Sequence, residues 1–530
     1  MRRKVLALLL AVGLAIPATA DRRRAVEKPA TAAAASDDEF LRRVTLDLTG
    51  QIPDAATVVA FLDDPSPGKR QKKIDELLVS EAFVDRWTLW FGDLVQNVQI
   101  SNNAREYYIG RNAYYTWIRT SFAANKPYDA MVRELLSGRG DSFESGVANY
   151  VVRQIQLNGP PQDTLDNLAA HSAEKFLGLP ALCVSCHDGF AHLEQVNTYL
   201  AKKKRMDFWR MAAFFSKTAA RPQPANLPEN PNVRKFDVRD NPRGAYLLNT
   251  TDGNKSPRQP FPGDSNVVEP AFLLTGETPR AGEDWRDAYG RMLTADRQFA
   301  RATVNLLWKE LFGRGFVEPV NSFDLTKLAT QPSDPALLES LTDSFIAGRY
   351  DLRAVLRTMT TSDAYARSRR DRRLPAEMLL DAIAKATGVP FRFNVQGLGT
   401  VERAMLLPDP FEGGRRTPAS QFLDNFGRGD RDDVARSNDS SVIQALALMN
   451  DTIVTQRVRR NTAGSAVGRV LAKTSDPAAI VDELYLVTLS RRPTAEERSF
   501  ATGYLRGGNL AARTEDLQYA LINTSEFLFY

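Results

Sequence analysis

Nine prolines between Pro222 and Pro270 cut the chain in two. Proline removes a backbone donor and clashes with the preceding helical turn, so regular helix is excluded over most of residues 219–275. On either side the apolar residues recur at helical spacing. A chain of 530 residues exceeds one ordinary core. The expectation is a mainly α protein, with two helical domains joined by a Pro-rich, loop-rich connector. Short strands are expected at Val233 to Val238 and Ala245 to Leu248, with Phe236, Tyr246 and Phe261 giving the connector something to bury. The segmentation read from the sequence is 1–20, 21–36, 37–218, 219–275 and 276–530.

The N-terminus carries an export layout. Arg2, Arg3 and Lys4 precede an uncharged apolar run from Val5 to Ile16, and Ala18-Thr19-Ala20 supplies a small-x-small cleavage site. The run is too short to span a bilayer, and no later uncharged stretch is long enough to do so. Residues 1–20 read as a signal peptide and 21–36 as a flexible lead. The mature chain is then expected in the periplasm or at the cell surface, with no transmembrane segment. Removing the three N-terminal cations lowers the formal charge from +5 to +2, which gives no argument for a nucleic-acid partner. Arg22-Arg23-Arg24 and Lys202-Lys203-Lys204-Arg205 read as solvated faces.

Ser36 with Glu39 marks a capping-box helix start. Helices are expected around Phe40 to Val44, Thr57 to Leu62, Ile74 to Trp90, Tyr107 to Phe122, Met131 to Leu136, Leu165 to Leu177 and Phe208 to Phe215. Beyond the connector they are expected over Phe299 to Phe312, stopped by Gly313, and over Leu337 to Phe345, Leu352 to Met359, Pro375 to Ala386, Val442 to Val458 and Ile480 to Leu489. Residues 389–436 read as irregular. Ser80-Glu81-Ala82-Phe83, Ser362-Asp363-Ala364-Tyr365 and Ser525-Glu526-Phe527-Leu528 echo one another as points where one helix ends and the next is capped. Leu46-Asp47-Leu48-Thr49-Gly50 before Pro53 and Leu486-Val487-Thr488-Leu489-Ser490 before Pro493 form a second echo.

The chemistry lies in the cysteines. Only two are present, and both fall in Cys183-Val184-Ser185-Cys186-His187. Two thiols at this spacing can bond the two vinyl groups of one haem, leaving the adjacent histidine as the proximal iron ligand. Cys183 and Cys186 are therefore the candidate attachment residues for a covalent haem c, and His187 the candidate axial ligand. His171 is the candidate distal ligand; Met206, Met211 and an open sixth position stay as alternatives. Other readings of the motif stay open too: a C-x-x-C disulfide or redox pair, zinc held with His171 or His192, or a motif without its cofactor. No nucleophile elbow or phosphate loop is present, so no catalytic residues are assigned.

Phe40-Leu41-Arg42-Arg43-Val44, Leu46-Asp47-Leu48-Thr49-Gly50, Phe176-Leu177-Gly178, Cys186-His187-Asp188 and Met211-Ala212-Ala213-Phe214-Phe215 resemble the planctomycete cytochrome C-like domain. Asn305, Trp308, Leu311-Phe312-Gly313-Arg314-Gly315, Val317-Glu318-Pro319, Phe422-Leu423, Phe426-Gly427-Arg428, Gln444-Ala445-Leu446 and Met449-Asn450 resemble the planctomycete surface domain that follows it. The resemblance implies an exported haem-motif protein with no assigned reaction. Many relatives carry Cys-His-Asp-His-Pro; here Gly189 stands in place of the second histidine, with His192 three residues on. Some relatives have further cysteines near the segment matching Asp432 to Ser437, and here there are none. Three functions stand as expectations. One is an electron carrier for an unidentified redox partner. Another is a non-redox cell-surface binding or structural protein with a local disulfide. The third is an enzyme in which haem assists chemistry on a substrate.

Overall fold

The computed structural model describes residues 34–530 except 100–106, 252–255, 261, 262, 264, 369–371, 413–415 and 433. The segment expected to be a signal peptide, Arg22-Arg23-Arg24 and Phe261 lie outside the described residues. The fold is mainly α, with strand confined to three small antiparallel sheets among the described residues. No helix among them is long and apolar enough to cross a membrane.

By contact, the chain forms two compact units. One joins the residues up to Leu89 to Thr360–Tyr530; the other is Trp90–Met359. This grouping cuts the chain differently from the segmentation read from composition and motifs, because the opening helices find their partners at the far end of the sequence.

In the first unit the helix Ala376–Thr387 is the centre. Met378, Leu379, Leu380, Ala382, Ile383 and Ala386 are all buried, so it is wrapped on every side. Helix Asp37–Thr49 starts where Glu39 accepts from the Ser36 N–H at 3.2 Å. Its buried Arg42 donates to the Thr488 carbonyl (3.3 Å), Ser490 Oγ (3.1 Å) and the Phe527 carbonyl (3.1 Å). Tyr365 donates to the buried Asp47 at 2.6 Å, and Arg372 donates to the same carboxylate at 2.9 Å. The echo between the two chain ends is real in three dimensions. Helix Asp37–Thr49 stops at Gly50 (φ 66°) and helix Pro477–Leu489 at Ser490 (φ 59°), both left-handed. The next helices start at Asp54 and Thr494, whose side chains accept from Thr57 and Glu497 N–H groups. Gly50 suits its left-handed φ of 66°, where an L side chain would be strained.

The second unit is built around the helix Pro161–Leu177, on which helices Arg205–Ala213 and Arg297–Phe312 pack. The Pro-rich connector is ordered here. Strand Arg234–Asp240 lies between Gly140–Asp141 and Thr218–Pro224, with Val238 opposite Gly140 and Pro222 opposite Phe236. Prolines are tolerated in Thr218–Pro224 because it is an edge strand, where a missing N–H breaks no second ladder. Strands Tyr246–Leu247 and Val267–Val268 pair nearby. Arg258 pins the connector to the central helix. Its fully buried guanidinium meets Asp163 at 2.5 Å and Asp166 at 2.7 Å, and Tyr246 donates to Asp166 at 2.7 Å. Asn305 clasps the loop after Arg297–Phe312, donating to the Val317 carbonyl (3.1 Å) and accepting from the Val317 N–H (3.0 Å).

Two expected helices are broken. Val442 to Val458 is two helices, Val442–Asn450 and Thr452–Arg457, because the Asp451 side chain accepts from the Ile453 N–H and starts a new one. Ile74 to Trp90 breaks between Leu78 and Glu81, where Ser80 Oγ accepts from the Phe83 N–H at 3.1 Å. Ser362 caps Tyr365 in the same way at 3.2 Å. The third echo is shifted by one residue: Thr524, not Ser525, accepts from the Phe527 N–H. The segment 389–436, expected to be irregular, holds a hairpin of Phe393–Val395 with Gly399–Val401 and the helix Pro418–Asn425.

Candidate functional site

Helix Pro161–Leu177 ends at Gly178 (φ 64°), where a Cβ would meet the Phe323 ring at 2.7 Å. The chain turns back through Leu179 and Pro180 into the 3-10 turn Ala181–Ser185, which packs on the helix it has just left. Within that turn the residues divide by side. Ala181, Val184 and Ser185 are buried, while Cys183 is exposed and Cys186 half-exposed. The two middle residues of C-x-x-C thus anchor the loop, leaving the Cys183 thiol exposed, the Cys186 thiol half-exposed and the two unjoined. Ser185 Oγ donates to the Leu182 carbonyl at 2.7 Å and lies 3.6 Å from Cys186 Sγ.

His187 Nδ1 lies 2.9 Å from the Asp188 carbonyl oxygen. A carbonyl only accepts, so Nδ1 is the donor of this contact, and in the neutral ring the lone pair then lies on Nε2. That is the tautomer a metal-ligating imidazole needs, fixed by its own backbone. The stretch around the motif also exposes large apolar side chains: Leu182 at 49%, Val196 at 75% and Phe190 at 78%.

The segment after the motif is clamped against Leu200 to Arg205. The Gly189 N–H donates to the Lys203 carbonyl, and the Arg205 N–H to Asp188 Oδ1, both at 2.8 Å. Arg205 reaches back to the Ser185 carbonyl at 3.4 Å and to the Pro257 carbonyl at 2.9 Å, with its guanidinium 4.5 Å from the centre of the Trp209 ring. Lys203 donates to the Leu273 carbonyl at 2.8 Å. The run Lys202–Arg205 is therefore only half a solvated face: Lys202 and Lys204 are exposed, while Lys203 and Arg205 are structural. Sequence reasoning missed Arg205 because a charge run hides which of its members turns inward.

A Cβ at Gly189 would stand 2.0 Å from the Leu200 carbonyl oxygen, so a histidine has no room at this position. Gly189→Ala is expected to cost about 1–3 kcal/mol through overpacking, read as a lower urea midpoint. An unchanged midpoint would show that the clamp yields freely. The His192 ring packs on His187, with centroids 4.3 Å apart and planes at 44°. His171 is half-buried on helix Pro161–Leu177, the helix against which the motif turn packs. Met211 is wholly buried and Met206 half-buried on helix Arg205–Ala213. Among the described residues no three His, Cys, Asp or Glu side chains converge as metal ligands, so the zinc reading finds no ready cluster.

Comparison with protein families finds two matches. The model PSCyt2, described as a protein of unknown function (DUF1549), matches residues 16–220. The model PSD1, described as a protein of unknown function (DUF1553), matches residues 290–373 and 369–505. The order is that of the two-domain planctomycete arrangement. Neither the curated proteins nor the solved structures gave a match.

Proposed function

This chain belongs to the proteins in which a PSCyt2 domain precedes a PSD1 domain, both of unknown function, and on that premise we propose that it is an exported c-type haem protein carrying single electrons at the periplasm or cell surface. The observation that carries the proposal is the His187 tautomer: Nδ1 donates to the Asp188 carbonyl, and Nε2 is left to bind iron. Support comes from the two unjoined thiols, one exposed and one half-exposed, and from the exposed apolar side chains of Leu182, Phe190 and Val196, which a large apolar ligand could cover. Cys183 and Cys186 would hold the haem by thioether links, and His187 would be its proximal ligand. When bound, the haem supplies a one-electron couple whose potential follows its axial ligands and its exposure. The chain's own part is to hold the motif rigid through Val184, Gly189 and Arg205. The partner is an unidentified redox protein or cell-surface component.

The test is expression with a haem-attachment system, followed by a pyridine haemochrome spectrum and intact mass. One covalent haem per chain is expected, and loss of the covalent signal in Cys186→Ala. Protein from its native host with the bare polypeptide mass would overturn the proposal. A colourless product with a Cys183–Cys186 bridge would favour the non-redox surface role.

A further inference from the structure

Three places in the chain set a glycine directly after an asparagine or aspartate: Asn158-Gly159, Asp188-Gly189 and Asp252-Gly253, the last outside the described residues. Such pairs carry their own chemistry. The backbone nitrogen of the glycine can attack the side-chain Cγ of the residue before it, because no Cβ stands in the way. Whether it does so in the folded chain depends on what else that N–H and that side chain are bonded to.

The fold treats the two described pairs in opposite ways. At Asp188-Gly189 both reacting groups are engaged: the Gly189 N–H donates to the Lys203 carbonyl, and Asp188 Oδ1 accepts from the Arg205 N–H, both at 2.8 Å. Asn158 and Gly159 are exposed, in the connection between helices Ala148–Arg153 and Pro161–Leu177. Among the described residues neither the Asn158 side chain nor the Gly159 N–H makes a hydrogen bond. The backbone is tied on either side of them. The Gln156 N–H donates to Thr164 Oγ1, and the Asp163 N–H to the Pro160 carbonyl, both at 2.9 Å. Glycine is also what fits here, since a Cβ at Gly159 would stand 2.7 Å from Asp163 Oδ2, on a buried carboxylate that Arg258 holds. The residue that hinders the attack least is therefore the one the packing requires.

We infer that Asn158 is a site of spontaneous deamidation in the folded protein. The Gly159 nitrogen gives its proton to solvent base and bonds Asn158 Cγ, and the side-chain nitrogen takes up a proton and leaves as ammonia, closing a succinimide. Water then opens the ring. Breaking the bond from the Gly159 nitrogen to Cγ gives an aspartyl residue; breaking its bond to the main-chain carbonyl carbon gives an isoaspartyl one, with an extra methylene in the backbone. Water enters and ammonia leaves, with no redox change. The new carboxylate lies just before helix Pro161–Leu177, whose positive end favours it. The inference is independent of haem, since no residue of the cysteine motif reacts. The test is to age the intact protein in mildly alkaline buffer, folded and in parallel unfolded in urea, and to follow the tryptic peptides by mass spectrometry. Asn158 falls in peptide 154–175, where fragmentation separates it from the helical Asn167. In the folded protein Asn158 is expected to lose its amide at a rate within about threefold of the unfolded one, whereas folding should slow Asp188 isomerisation about tenfold or more. Asn158→Gln, which would have to close a larger ring, should leave peptide 154–175 unchanged. An Asn158 amide that persists in the folded protein while the unfolded chain loses it would overturn the inference. So would equal deamidation of that peptide in Asn158→Gln, or equal slowing of the two sites by folding.

Discussion

Arg258→Met is expected to destabilise the second unit by about 3–5 kcal/mol, the largest single effect on this fold. The guanidinium is fully buried between Asp163 and Asp166, themselves buried, with Tyr246 donating to the second. Burial acts to lower the Arg258 pKa, but the Asp166 charge and the bonds to both carboxylates outweigh it and raise it above the ordinary arginine value. Burial, with the Asp166 charge beside it, holds the Tyr246 hydroxyl protonated well beyond its usual range. Methionine fills much of the space but removes the buried guanidinium that both carboxylates bond. The expected result is a urea midpoint lowered accordingly, with partial recovery in Arg258→Met, Asp163→Asn, Asp166→Asn, since removing all three charges removes the desolvation cost. A triple variant no more stable than the single one would show that the network contributes packing and not charge balance. Because Arg205 joins the same connector to the motif turn through the Pro257 and Ser185 carbonyls, the single variant should also loosen the cysteines, read as faster alkylation of Cys186.

The second large effect is a pH dependence in the first unit. Asp381 is buried on the central helix Ala376–Thr387, and burial pushes its carboxyl up to about 7, against the Ala404 and Met405 N–H donors at 2.7 and 3.1 Å. A carboxyl whose folded pKa lies above its unfolded value favours the fold most when protonated. Its contribution is whole below about pH 4 and is lost as pH rises through 7, a change of about 4 kcal/mol at most. Carboxylates such as Asp37, Asp54 and Glu497 in the same unit are shifted downward, so their stabilisation grows as pH rises through the acid range. The difference between the wild type and Asp381→Asn cancels those groups. Its urea stability difference should change steadily between pH 4 and 7 and be flat above. A difference that is constant over the whole range would show that the carboxyl ionises freely in place.

What the sequence made legible follows from how local each signal is. The helices, the proline break and the Gly313 stop depend on neighbours a few residues away, and the structure has them. The breaks at Ser80 and Asp451 depend on one side chain competing for a backbone N–H, which apolar spacing does not register. The grouping of the opening helices with the C-terminal ones was written only as a faint echo around Gly50 and Ser490, too short to be read without coordinates. At the site, Cys183, Cys186 and His187 announce themselves by spacing. The neighbours that shape them do not: the packing of Leu200 on Gly189, the ring of His192 on His187 and the inward turn of Arg205 arise from a loop folding back, and no periodicity encodes it.

The grouping of the two chain ends has a consequence for biogenesis. Arg42 needs acceptors at Thr488, Ser490 and Phe527, up to 485 residues further along. A ribosome finishes the opening helices long before those carbonyls exist, so they wait for the whole polypeptide before closing their core. The grouping also gathers late contacts at residues 527–530: the Phe527 carbonyl accepts from Arg42, the Tyr530 N–H bonds the Arg372 carbonyl and the Leu374 N–H bonds the Leu528 carbonyl.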